Sequence, residues 1–107
     1  ADQACLLDWD RAHLGDPACD YGRILGQLQL LDLRGKGDPS AMAEAFATAF
    51  VAAGGSRPGA RRETFWTVMA LLNFALRETR RLRPDWLDRT GGLLDRCDLL
   101  LNRRESL

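Results

Sequence analysis

The chain has 107 residues, with 15 basic and 15 acidic side chains and no formal net charge at neutral pH. That length supports one hydrophobic core and falls short of a two-lobed enzyme. The balanced charge leaves no overall field to draw in nucleic acid or an anionic membrane. No stretch approaches the ~20 apolar residues of a membrane span, and the N-terminus lacks the basic and apolar regions of a signal peptide. Three cysteines, Cys5, Cys19 and Cys97, match no zinc or Cys-x-x-Cys spacing. They read as small apolar residues of a protein in a reducing compartment, which makes the cytoplasm the expected location.

Taken in chain order, residues 4–7 form a short apolar run that reads as a buried strand. Asp8 falls at its end, and Asp10, two residues on, shares one face of an extended segment with it. Carboxylates so placed beside a turn suit a hard divalent cation such as Mg²⁺, which takes oxygen ligands. His13 could be drawn with Asp8 and Asp10 as a metal triad. No fourth ligand follows at zinc-like spacing, however, so it reads as a solvated turn histidine.

The pattern is helical from there on. Asp16 and Pro17 make a start signal, a capping carboxylate followed by a proline whose missing N–H costs nothing at the first helical position. Tyr21, Ile24, Leu25, Leu28 and Leu31 then recur at helical spacing until Gly35 and Gly37, predicting a first helix over residues 17–33. Asp38 and Pro39 repeat the signal and open a second, carrying Met42, Ala45, Phe46, Ala49, Phe50 and Ala53 and stopped by Gly54 and Gly55. The third is predicted from Pro58 to Arg83, ahead of Pro84. Its centre, "FWTVMALLNFAL", is apolar nearly all round, so the other helices are expected to wrap it. The fourth, residues 85–104, carries Trp86, Thr90, Leu93, Leu94, Cys97, Leu100 and Leu101 on one face, with a kink or break expected at Gly91 and Gly92. Such aromatic and aliphatic residues are core-formers, and the arginines are expected on solvated helix faces.

The segment "LLDWDRAHLGDPACDYGRIL" resembles the signature of the aminoglycoside phosphotransferase and choline kinase family. That pattern runs apolar-apolar-Asp-Trp/Phe-Glu, a short spacer, then Gly-Asp-Pro-x-x-Asp-Leu/Tyr; here it is Leu6, Leu7, Asp8, Trp9, Asp10, then Gly15, Asp16, Pro17, Asp20 and Tyr21. "FVAAGG", the long apolar helix and "RLRPDWLDR" resemble the family's helical tail in outline. The resemblance implies a mainly α fold: the helical C-terminal subdomain of a protein-kinase-like fold, with a short N-terminal strand and metal-binding turn (residues 1–15) before a bundle of about four helices (residues 16–107). It implies that Asp8 binds the Mg²⁺ that bridges ATP phosphates, with Trp9 packing where protein kinases carry phenylalanine. Asp20 is structural by the same resemblance, hydrogen bonding the metal loop to the first helix, and Asp10, where the family has glutamate, stands behind the metal ligand.

The implied reaction is ATP- and Mg²⁺-dependent phosphorylation of a hydroxyl on a small molecule. Eight arginines against four carboxylates over residues 57–89 lean the acceptor away from a polycation, toward a neutral or anionic compound. The family's catalytic His-Gly-Asp motif and its following asparagine are absent, since the sole histidine comes after Asp8. The chain is therefore expected to be the C-terminal part of such an enzyme and inactive alone. The alternative is a catalytically inactive helical module that mediates protein–protein association, with self-association through the unpaired N-terminal strand.

Overall fold

The computed structural model describes residues 3–5 and 14–105, with side chains to residue 103. Four helices account for most of it: α1 (Ala18–Leu33), α2 (Pro39–Ala52), α3 (Ala60–Arg81) and α4 (Trp86–Glu105). The fold is mainly α, and no strand occurs among the described residues. Of the strand expected over residues 4–7, Ala4 and Cys5 are exposed and outside any strand, while Leu6 and Leu7 lie outside the described residues.

Local chemistry sets the helix ends. At α2 the Asp38 carboxylate accepts from the amides of Ser40 (3.0 Å) and Ala41 (3.2 Å), with Pro39 as the first helical residue. Helices α1 and α2 close in the same way. Gly35 N–H donates to Asp32 O and Lys36 N–H to Leu31 O; Gly54 N–H donates to Val51 O and Gly55 N–H to Phe50 O. This is the paired hydrogen bonding of a Schellman stop, and it places Gly35 (φ 72°) and Gly54 (φ 100°) in the left-handed region. Helix α3 ends two residues short of expectation because Leu82 reverses the chain at φ 49°, ψ 40°. Helix α4 runs unbroken through Gly91 and Gly92, without the expected break.

Helices α1 and α3 lie parallel and very close. A Cβ built on Gly22 would stand 2.3 Å from the Trp66 Cβ, and one on Gly26 2.7 Å from the Ala70 Cβ, so the two helices step together four residues at a time. Helix α4 returns along α3, with Leu93 and Cys97 buried against Val68, Leu71, Phe74 and Ala75. Arg96 fastens α4 to α1 through Asp32 (2.7 Å) and Gln29 (2.5 Å). Helix α2 packs on α1 alone among the helices. There the Tyr21 ring lies tilted against Phe46 at 4.9 Å and meets Phe50 edge-on at 5.2 Å, and Leu25 and Ala47 complete a second, separate core.

The expected wrapping of α3 is incomplete. Phe65, Met69, Leu72 and Leu76 recur at spacings of four, three and four and are 37–53 % exposed, because α1 and α4 together cover only the opposite side. The cysteines are likewise not all interior: Cys97 is buried and Cys19 half-buried, but Cys5 is exposed.

Candidate functional site

The described part of the candidate site lies where α1 begins. Its centre is Asp16, which was expected only to cap that helix. Its carboxylate does accept from the Ala18 amide (3.0 Å), and it also receives Trp66 Nε1 (3.1 Å) and both Nε and Nη2 of Arg62. One side chain therefore caps α1 and ties it to the first turns of α3, 46 and 50 residues away. The Arg62 guanidinium, the Ala18 amide and the Trp66 indole hold its pKa well below the usual 3.8, at about 2. With both oxygens engaged, Asp16 locks the helix ends together and has no free lone-pair direction for a cation.

Beside it, Asp16, Arg61, Arg62, Phe65 and Trp66 line a shallow cleft of about 390 Å³. Phe65 meets Trp66 edge-on at 5.0 Å. Sequence reading missed Arg62 and Trp66 as partners of the turn. Their only trace there was an arginine and a tryptophan four apart on one helix, which is common on any amphipathic surface.

Asp8, Trp9, Asp10 and His13 lie outside the described residues. Asp20 is described: it sits exposed in the first turn of α1, and the hydrogen bonds expected of it to the segment before the helix fall outside the described residues. Among the described residues no group of His, Cys, Asp and Glu is placed to hold a metal ion, and no helix is long and apolar enough to cross a membrane.

Two further features lie toward the other end of the bundle. Glu78 of α3 is 5 % exposed, and its Oε2 has no hydrogen-bond partner among the described residues. It borders a groove of about 380 Å³ together with Leu30, Leu33 and Leu93. A separate groove of about 310 Å³ between α1 and α3 is lined by Arg23, Gln27, Asn73, Arg77 and Arg80. Elsewhere Arg57 bridges Glu44 and Glu63, and Arg62, Arg89 and Arg96 each hold an aspartate. No protein-family model, curated protein or solved structure matches the chain.

Proposed function

We propose that this chain is the C-terminal part of an ATP- and Mg²⁺-dependent phosphotransferase of the aminoglycoside phosphotransferase and choline kinase type, acting on a hydroxyl of a small molecule. The observation that carries this reading is the ordered run Leu6, Leu7, Asp8, Trp9, Asp10, Gly15, Asp16, Pro17, Asp20, Tyr21, with its spacing intact. Asp8 is the metal ligand in this reading; Asp10 orients it, and Asp20 braces the loop from the first turn of α1. A Mg²⁺ ion bound there would neutralise phosphate charge during transfer. The anchoring of Asp16 by Arg62 and Trp66 supports the reading. A metal turn performs only if its exit is rigid, and the residue that ends this segment is clamped to two helices at once.

The complete reading frame encoding this chain, purified with Asp8→Ala, should retain ATP binding and lose phosphoryl transfer by orders of magnitude. Near-normal turnover in that variant removes the assignment. A second reading, a non-catalytic module that pairs with another copy, is favoured by the uncovered stripe of Phe65, Met69, Leu72 and Leu76. It predicts a symmetric dimer in sedimentation that Leu72→Asp dissociates, with no affinity for Mg²⁺–ATP.

A further inference from the structure

A carboxylate taken out of water is normally paired, because donors must replace the hydration it loses. Glu78 departs from this. It is 5 % exposed, and its Oε2 is sealed with no hydrogen-bond partner among the described residues. What remains open of the side chain borders the groove of about 380 Å³ between α1, α3 and α4.

The helix register shows that this groove is built at one height. Gly22 of α1 meets Trp66 and Gly26 meets Ala70, and the same four-residue step continued along both helices brings Leu30 level with Phe74 and Arg34 level with Glu78. Helix α4 runs the opposite way. From Cys97, whose thiol lies 3.9 Å from the Val68 carbonyl oxygen, it reaches the level of Glu78 near Asp88 and Arg89. Leu30, Leu33 and Leu93 supply the apolar wall.

The charges at that height do not cancel. Arg89 senses Glu78, but its guanidinium is held by Asp85 at 2.6 Å. No ion pair among the described residues reaches Glu78. Arg34 and Asp88 are both exposed and offset each other, so the uncompensated charge is the buried one.

This lining selects its occupant. An anion is repelled by Glu78. A hard metal ion takes several oxygen ligands, and no group of three His, Cys, Asp or Glu among the described residues is placed to supply them. A neutral apolar molecule would cover the leucines and shut the carboxylate further from water. A protonated amine on a short hydrocarbon stem satisfies both parts. We infer that this groove binds a small alkylammonium compound, its ammonium group donating to Glu78 and its stem lying on Leu30, Leu33 and Leu93. The site is separate from the proposed metal turn and is not the acceptor's, since Leu33 lies about 22 Å along α1 from Ala18 at the helical rise per residue.

NMR titration of the 107-residue chain with n-pentylamine at neutral pH tests the inference. Saturable shifts are expected at Leu30, Leu33, Glu78 and Leu93. 1-Pentanol, the same stem without the charge, should bind at least tenfold more weakly, the worth of a hydrogen bond to a charged group. Glu78→Gln keeps the shape of the side chain and removes its charge. It should lower pentylamine affinity at least tenfold and leave pentanol affinity within twofold. Asp95→Asn, which removes an equal charge from an exposed position on α4 outside the groove, should leave pentylamine affinity within twofold. Because Glu78→Gln relieves an unpaired buried charge, a melting temperature no lower than the parent's is expected to accompany its loss of binding, and the comparison of probes on the parent chain needs no variant. Pentanol binding as tightly as pentylamine would show a groove indifferent to Glu78 and overturn the site. Equal losses from Asp95→Asn and Glu78→Gln would overturn it too, as would Mg²⁺ shifting Glu78 and Asp88 where pentylamine does not. Absence of saturable shifts with pentylamine would mean that water alone satisfies Glu78, and the inference would fall.

Discussion

Asp16 shows how much one carboxylate can do at a helix start. A cap alone needs one acceptor oxygen, yet here the second oxygen reaches across to Arg62 and Trp66, converting a local stop signal into a tertiary clamp. Its protonation links the clamp to pH. In the unfolded chain this carboxyl titrates near 3.8, and in the folded protein at about 2, so the unfolded state takes up the proton first. The stabilisation is fully present above the unfolded value and drains away as pH falls from about 4 through about 2. In Asp16→Asn that contribution is absent at every pH. The urea midpoint of the variant should lie below that of the parent at neutral pH, and the two should converge as the solution is acidified through that window. A constant gap between the two curves would show that the carboxylate's charge is not what Arg62 and Trp66 hold.

At the scale of elements, the glycines inside the helices divide into two kinds that composition does not distinguish. Gly22 and Gly26 are contact surfaces. A methyl group at Gly22 would fall 2.3 Å from the Trp66 Cβ and 2.6 Å and 2.9 Å from backbone atoms of Trp66 and Thr67, which no side-chain rotation relieves. Gly91 and Gly92 have no neighbouring heavy atom within 4 Å of an added Cβ, so their cost to α4 is the ordinary entropic one. Gly22→Ala should therefore destabilise the protein by about 3 kcal/mol or more, at the upper end of overpacking effects, whereas Gly91→Ala should stabilise it by about 1 kcal/mol. Denaturant unfolding of the two variants checks both signs, and a neutral Gly22→Ala would mean that α1 and α3 are further apart than described. The same contact explains why the apolar stripe read along α1 was only half of its packing. Tyr21, Leu25 and Leu28 face α2, Ile24 is 41 % exposed, and the face turned to α3 is built from glycine, which hydropathy does not register.

The molecule as a whole has two cores of unequal support. The larger joins α3 and α4 with Leu30 of α1, centred on the fully buried Leu71. The smaller holds α2 to α1 through Tyr21, Leu25, Ala47 and the Phe46 and Phe50 rings. Helix α2 has one helical partner where α3 has two, so its detachment exposes one interface and leaves the other intact. Hydrogen exchange should accordingly show the amides of α2 less protected than those of α3, opening without global unfolding. Equal protection across all four helices would show a single cooperative unit instead.

What was legible in the sequence follows the range of the forces involved. Helix count, the Asp38–Pro39 start and the Gly35 and Gly54 stops were readable because caps and left-handed turns are settled within about six residues. The aspartate-rich signature is likewise a property of the chain itself, and it carries the proposed chemistry, though Asp8 and Asp10 lie outside the described residues. Tertiary structure alone decided which side of α3 is uncovered and that Asp16 finds Arg62 and Trp66. Those outcomes depend on how far α1 rotates and how closely it approaches α3. Two glycines and an alanine set that approach through steric contact between elements more than 40 residues apart, a distance over which no periodicity in the sequence carries information.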